Sequence, residues 1–149
     1  EDRYAAVVSR VRQCLLTPYG LRTLAPSAPD YHSLYEGGPA ERDGAYHQGT
    51  VWAWLVGAYG DALLRAAWDE RAAADALLQT LTPLFTRHLA EAGLGSISEI
   101  FDGDPPHRPD GCIAQAWSVA ESLRLLRTLE QAAPDIYARW ETGLRQGVC

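Results

Sequence analysis

Residues 92–112, Ala-Gly-Leu-Gly-Ser-Ile-Ser-Glu-Ile-Phe-Asp-Gly-Asp-Pro-Pro-His-Arg-Pro-Asp-Gly-Cys, constrain this chain more than any other stretch. They favour neither a helix nor a strand. Between Gly103 and Gly111 stand five glycines and prolines: Gly103, Pro105, Pro106, Pro109 and Gly111. Glycine breaks regular structure through backbone freedom, proline through its missing N–H and fixed φ. Yet the stretch holds three carboxylates close together, Glu99, Asp102 and Asp104, and helical sequence flanks it on both sides. A long polar loop on a helical scaffold is where binding and catalytic groups collect.

The flanking sequence predicts five helices. Over 3–16, Tyr4, Val7, Val8, Val11 and Leu15 share one helical face, and Thr17-Pro18-Tyr19-Gly20 stops the run. A long connection over 17–49 follows, rich in proline and glycine. Thr50 is the expected N-cap of a second helix over 50–67, apolar nearly all round, with Gly57 and Gly60 allowing close packing. Asp69 caps a third over 70–91, with a stripe of Leu77, Leu78, Leu81, Leu84, Phe85 and Leu89. Pro83 lies inside it, and Gly93 and Gly95 end it. A fourth, over 113–130, carries Ile113, Ala116, Trp117, Ala120, Leu123 and Leu126. A fifth, over 134–146, opens on Pro134 and turns Ile136, Tyr137, Trp140 and Leu144 inward.

Loop lengths alternate. Long connections precede the second and fourth helices and short ones follow them, which makes antiparallel helical hairpins. The more apolar helices are those entered from long loops. This predicts inner helices backed by amphipathic outer ones, with both long loops at one end. No strand of period two stands out, so the expected class is all-α.

The 149 residues fit one domain with a real core. A net charge of −6 without a basic cluster argues against nucleic acid and anionic membranes as partners. No apolar run reaches the roughly 18 residues that span a bilayer. Cys14, Cys112 and Cys149 are odd in number and widely spaced. That fits neither a disulfide framework nor a Cys-x-x-Cys metal site, and suits a reducing cytoplasm.

Several motifs resemble one family. Tyr46-His47-Gln48-Gly49-Thr50-Val51-Trp52-Ala53-Trp54 is similar to a signature of the C-terminal, amylo-α-1,6-glucosidase domain of bacterial-type glycogen debranching enzymes. So are Ile97-Ser98-Glu99-Ile100-Phe101-Asp102-Gly103-Asp104-Pro105-Pro106-His107 and Gly111-Cys112-Ile113-Ala114-Gln115-Ala116-Trp117-Ser118. Leu16-Thr17-Pro18-Tyr19-Gly20-Leu21-Arg22-Thr23-Leu24 and Tyr35-Glu36-Gly37-Gly38-Pro39 look alike too. The resemblance implies an (α/α)6 toroid of six inner and six outer helices, of which this chain is the C-terminal part. Ala53 replaces a common proline, and Gly57-Ala58-Tyr59-Gly60 a more usual Gly-Pro; both concern how the inner helix begins.

The same resemblance implies hydrolysis of α-1,6-linked glucose at branch points of glycogen or a related glucan, with inversion and without a cofactor. Inversion needs an acid and a base roughly 6.5–9.5 Å apart. The motif puts the base at Glu99; by position alone, Glu99 would cap a helix or pair with an arginine. It also makes Tyr46, His47, Gln48 and Thr50 line the sugar site, or else form a turn into the helix. Trp52 is a candidate sugar-facing aromatic or a core residue. Asp102 and Asp104 would bind sugar hydroxyls or, as turn formers, hold their loop. His107 belongs to the loop motif, and no second histidine at ligand spacing makes it a metal site. Gln115 and Trp117 face either the site or the core. His32 and His88 are expected at the surface. The family's acid is an aspartate upstream of the matching motifs, in the remainder of the same domain. Two rival classes stay open: a catalytically incomplete glucan-binding module, and a helical fragment whose first and last helices self-associate through bare apolar flanks.

Overall fold

A computed structural model describes residues 2–147 of the protein; Cys149 lies outside them. The chain runs α1 (Asp2–Cys14), β1 (Leu16–Thr17), β2 (Gly20–Arg22), α2 (Pro39–Ala45), β3 (Val51–Trp52), α3 (Leu55–Ala66), α4 (Glu70–Phe85), β4 (Ile100–Phe101), β5 (Pro109–Asp110), α5 (Ala116–Ala132) and α6 (Pro134–Gln146). A single 3₁₀ turn covers His88–Ala90. The all-α expectation is corrected: the described residues form a largely helical body carrying a five-stranded antiparallel sheet in the order β1-β2-β3-β4-β5.

The helices begin where local chemistry directs. The Asp69 carboxylate accepts from the Ala72 N–H at 3.0 Å and opens α4. Pro134 sits in the first turn of α6, where its missing N–H has no ladder partner to lose. Other boundaries differ from expectation. α3 starts at Leu55, not at 50, because Val51 and Trp52 pair in the sheet first. Thr50 is therefore no N-cap; it is fully buried beneath Tyr46 and Trp52. α4 ends at Phe85, well before Gly93 and Gly95. The chain then turns through the 3₁₀ segment, which carries His88 into the interior. His88 was expected at the surface; the structure buries it completely.

The short links make two antiparallel hairpins, α3–α4 and α5–α6. They stack with α3 on α5 and α4 on α6, while α1 lies on α3. The main core fills this stack, from Val56 and Tyr59 of α3 through Leu77, Leu78 and Leu81 of α4 to Leu125 and Leu129 of α5. A second core of Tyr19, Val51, Ala53, Leu84, Ile97 and Phe101 lies beneath the sheet.

The face of α5 is the largest departure. Ser118, Ser122, Leu125 and Leu129 are buried, whereas Ile113, Trp117 and Leu123 are 60%, 49% and 58% exposed. Glycines explain it. A Cβ at Gly60 of α3 would lie 2.2 Å from Leu125 Cδ1 of α5. Gly60 thus makes room for Leu125, and the buried face of α5 runs through Ser118, Ser122, Leu125 and Leu129, not along the widest apolar stripe.

The sheet joins the two long loops at the start of α3. Val51 faces Phe101 and Trp52 faces Ile100 across β3 and β4. Gly49 and Gly103 meet backbone to backbone: a Cβ at Gly103 would lie 2.6 Å from Gly49 O. No helix among the described residues is long and apolar enough to cross a membrane.

Candidate functional site

Where the two loops meet, a cleft of about 570 Å³ opens. Tyr46, His47, Trp52 and Trp117 form its aromatic wall, with Arg22, Thr23, Trp54 and Leu55 beside them. The wall is continuous. His47 stacks on Trp52 with ring centroids 5.2 Å apart and planes 13° off parallel. Tyr46 meets Trp52 edge-on at 4.9 Å, and Trp117 lies 6.2 Å from Trp52.

This wall is held from below. Thr50 Oγ1 donates to Tyr46 O at 2.6 Å. Trp52 Nε1 donates to Tyr46 O at 3.2 Å and to Thr50 Oγ1 at 3.1 Å. Thr50 thus acts on the cleft through Tyr46 and Trp52 and does not reach it. Trp52 is 4% exposed and also borders the cleft.

Glu99 stands immediately before β4, half-buried at the edge of this site. The Tyr46 hydroxyl donates to Glu99 Oε1, and the Cys112 N–H donates to Oε2 at 3.0 Å. Neither simple alternative describes it: Glu99 starts no helix, and no arginine pairs with it among the described residues. Its backbone is fixed as well, for the Glu99 N–H donates to Cys112 O at 2.9 Å. Burial first, and then the Glu99 hydrogen bond, push the Tyr46 hydroxyl's pKa well above its ordinary value. It therefore stays protonated as a donor at neutral pH. Gly111, at φ 68°, is required beside it, because a Cβ there would lie 2.7 Å from Glu99 Oε2.

The remaining loop residues brace the site. Asp102 is buried; its Oδ1 accepts from the Tyr35 N–H at 2.9 Å, and Arg108 lies 3.2 Å from Oδ2. Asp104 accepts from the Tyr31 hydroxyl at 2.9 Å. His107 is buried, with Nδ1 donating to Asp102 O at 2.9 Å, and burial lowers its pKa. Asp102 and Asp104 tie the loop to the connection before α2, and His107 closes the loop on itself. Gln48 is exposed beside His47, its carbonyl accepting from the His32 N–H at 2.7 Å. Gln115 is the N-cap residue of α5, without a side-chain cap bond.

Four cleft residues, Arg22, Thr23, Trp54 and Leu55, were missed by sequence reasoning about the site. Arg22 lies in β2, and its Nε donates to Gly103 O at 2.7 Å, which leaves the rest of the guanidinium beside the cleft. Trp54 follows β3 and lies 6.3 Å from Trp117. The available signal was the pairing of their segments, which two- and three-residue strands do not display as a period. Among the described residues no three His, Cys, Asp or Glu side chains are grouped to hold a metal ion.

A search of curated proteins finds no match to the chain. The sequence model of the amylo-alpha-1,6-glucosidase family matches residues 1–124, which include every element of the cleft. On that match the chain belongs to the amylo-alpha-1,6-glucosidase family, the C-terminal domain of glycogen debranching enzymes.

Proposed function

We propose that the chain supplies the general base and the aromatic wall of an inverting α-1,6-glucosidase acting on branched α-glucans. One observation carries this reading: Glu99 is fixed at the cleft edge by two donors, the Tyr46 hydroxyl and the Cys112 N–H, and among the described residues it is tied to no cation. A carboxylate held in this way keeps lone pairs for a water while its direction is set. The flat faces of Trp117 and Trp52 suit the apolar faces of a glucose ring. Gln48 and the free part of the Arg22 guanidinium offer polar groups to sugar hydroxyls.

Inversion also needs a general acid across the sugar, roughly 6.5–9.5 Å from the base. None of the residues lining the cleft is a carboxylic acid. In this proposal the acid comes from the remainder of an (α/α)6 toroid, to which the two stacked hairpins contribute, and the 149-residue chain by itself is inactive. The debranching enzyme that contains this domain should release glucose from a limit dextrin as the β-anomer, seen by proton NMR before mutarotation. Release of the α-anomer would refute inversion, and any release by the isolated chain would refute its dependence on an outside acid.

A second reading has its own support. Glu99 borders the cleft through Tyr46 and is not part of its lining. A glucan-binding module would show this geometry, with rings that hold sugar and a carboxylate that only props them. Turnover of the whole enzyme in Glu99→Gln separates the two: it falls if Glu99 is the base and is kept if the carboxylate only props the rings, while calorimetry with maltooligosaccharides reports the binding that both readings expect.

A further inference from the structure

The residue before the proposed base is held from behind by a buried histidine with no part in the proposed reaction. His88 has no solvent exposure. Its ring packs edge-on against Phe101 with centroids 4.7 Å apart, and Tyr19 lies 6.5 Å away. Nε2 accepts from the Ser98 N–H at 3.0 Å. An accepting Nε2 carries no proton, so the ring is neutral with its hydrogen on Nδ1. That Nδ1 has no hydrogen-bond partner; the closest carboxylate, Glu91 Oε2, is 3.9 Å away.

The backbone around Glu99 explains why a side chain is needed there. Successive N–H groups of an extended segment point to opposite sides. The Glu99 N–H reaches forward to Cys112 O at 2.9 Å. The Ser98 N–H points backward into the core, where Ser98 is 1% exposed and no strand passes behind it. A buried N–H left without an acceptor is costly. His88 supplies the acceptor, and so fixes Ser98 on one side while Cys112 fixes Glu99 on the other.

We propose that neutral His88 is a positioning residue for Glu99: through the Ser98 N–H it sets the depth and direction at which the carboxylate is presented, and protonation of Nε2 releases that hold. The added proton would face the Ser98 N–H, turning an acceptor into a second donor. The groups facing the ring act unequally. Burial disfavours the charged ring, and Glu91, on the same turn, favours it more weakly. Glu91 is itself engaged by Arg87 at 2.9 Å. Tyr19 presents its ring from the β1–β2 turn, with His107 beyond it at 5.7 Å, and β4 presents only Phe101. Calling Glu99 the base rests on the function proposed above; the clamp on Ser98 does not.

The test uses the isotope-labelled 149-residue chain and three forms of residue 88. At about pH 7.5 the imidazole nitrogen spectrum of the wild type should show His88 with an unprotonated Nε2. As pH falls below the ordinary imidazole range, the Ser98 amide resonance should follow the His88 titration and lose exchange protection. In His88→Phe the Ser98 and Glu99 amides should exchange roughly tenfold faster while those of α3 and α4 keep their protection. His88→Gln, whose carbonyl can accept and does not titrate, should restore that protection and make it independent of pH over the same range. A protonated Nε2 at the higher pH, or equal Ser98 protection in the wild type and His88→Phe, overturns the proposal. Should His88→Phe fail to fold, the pH series of the wild type and His88→Gln decides, since the same acid loss in both overturns it. Failure of the glycosidase reading shows separately, as turnover unaffected by Glu99→Gln, and leaves the amide result standing.

Discussion

At the scale of single residues, the site is organised by groups that do not touch the cleft. Thr50 is the clearest. Its hydroxyl gives a hydrogen bond to Tyr46 O and takes one from Trp52 Nε1, and it is fully buried. Replacing it by valine keeps the shape and removes both bonds. Tyr46 O keeps the indole as a donor, and the indole keeps Tyr46 O as an acceptor. The loss should therefore be about 1–2 kcal/mol, the net worth of buried hydrogen bonds and not of two orphaned groups. A denaturant titration of Thr50→Val should show a lower midpoint and an unchanged slope, and maltooligosaccharide affinity should fall as the Trp52 ring loosens. An unchanged midpoint would mean that Thr50 carries no weight. The same residue shows what sequence reasoning reads well and badly. The motif resemblance made Thr50 line a sugar site; the structure puts it beneath the cleft, bonded to Tyr46 and Trp52. Its cap role, inferred from the apolar run behind it, fails because that run starts in the sheet.

At the scale of elements, close packing of α3 on α5 decides which faces are inside. A Cβ at Gly60 would strike Leu125, itself fully buried with no room to retreat. A Cβ at Gly57 would strike the ends of Glu121 and Arg124, which are long side chains at the surface. Both substitutions gain about 1 kcal/mol of helix propensity. Overpacking against Leu125 costs roughly 1–3 kcal/mol and outweighs that gain, whereas the surface chains shift at little cost. Gly60→Ala should therefore lower the thermal midpoint and Gly57→Ala should leave it within a few degrees of the wild type. The reverse order, by calorimetry, would contradict the packing. Elements with a local signal were legible: Asp69 and Pro134 start α4 and α6 as their chemistry requires. The five strands were not, because pairs such as Ile100–Phe101 are too short to alternate and are defined by partners distant in the chain. The face of α5 was misread for a related reason. Periodicity reports apolar residues, whereas the close contact with α3 is Leu125 against Gly60, and Ser118 and Ser122 are buried on the same helix.

At the scale of the whole molecule, two helices leave apolar surface bare. Tyr4 and Val7 of α1 are exposed, as are Trp117 and Leu123 of α5 with Ile113 just before it. α6 buries Ile136 and Trp140, the inward face that its sequence predicts. Exposed apolar side chains grouped on helix faces favour association. Sedimentation of the isolated chain should show concentration-dependent self-association, weakened in Leu123→Glu; a monomer at all concentrations would contradict this. The two long loops, predicted to share one end of the body, do so through β3 and β4, and they bring Tyr46 to Glu99 across 53 residues of chain. That juxtaposition is the centre of the proposed chemistry, and steady-state kinetics of the whole debranching enzyme on a singly branched limit dextrin test it most directly. If Glu99 activates the water, Glu99→Gln should lower kcat by roughly 10²–10⁴-fold, the usual worth of a general base, with KM within a few-fold of the wild type. A kcat retained within about threefold would show that the carboxylate only props the aromatic wall, and would contradict the account.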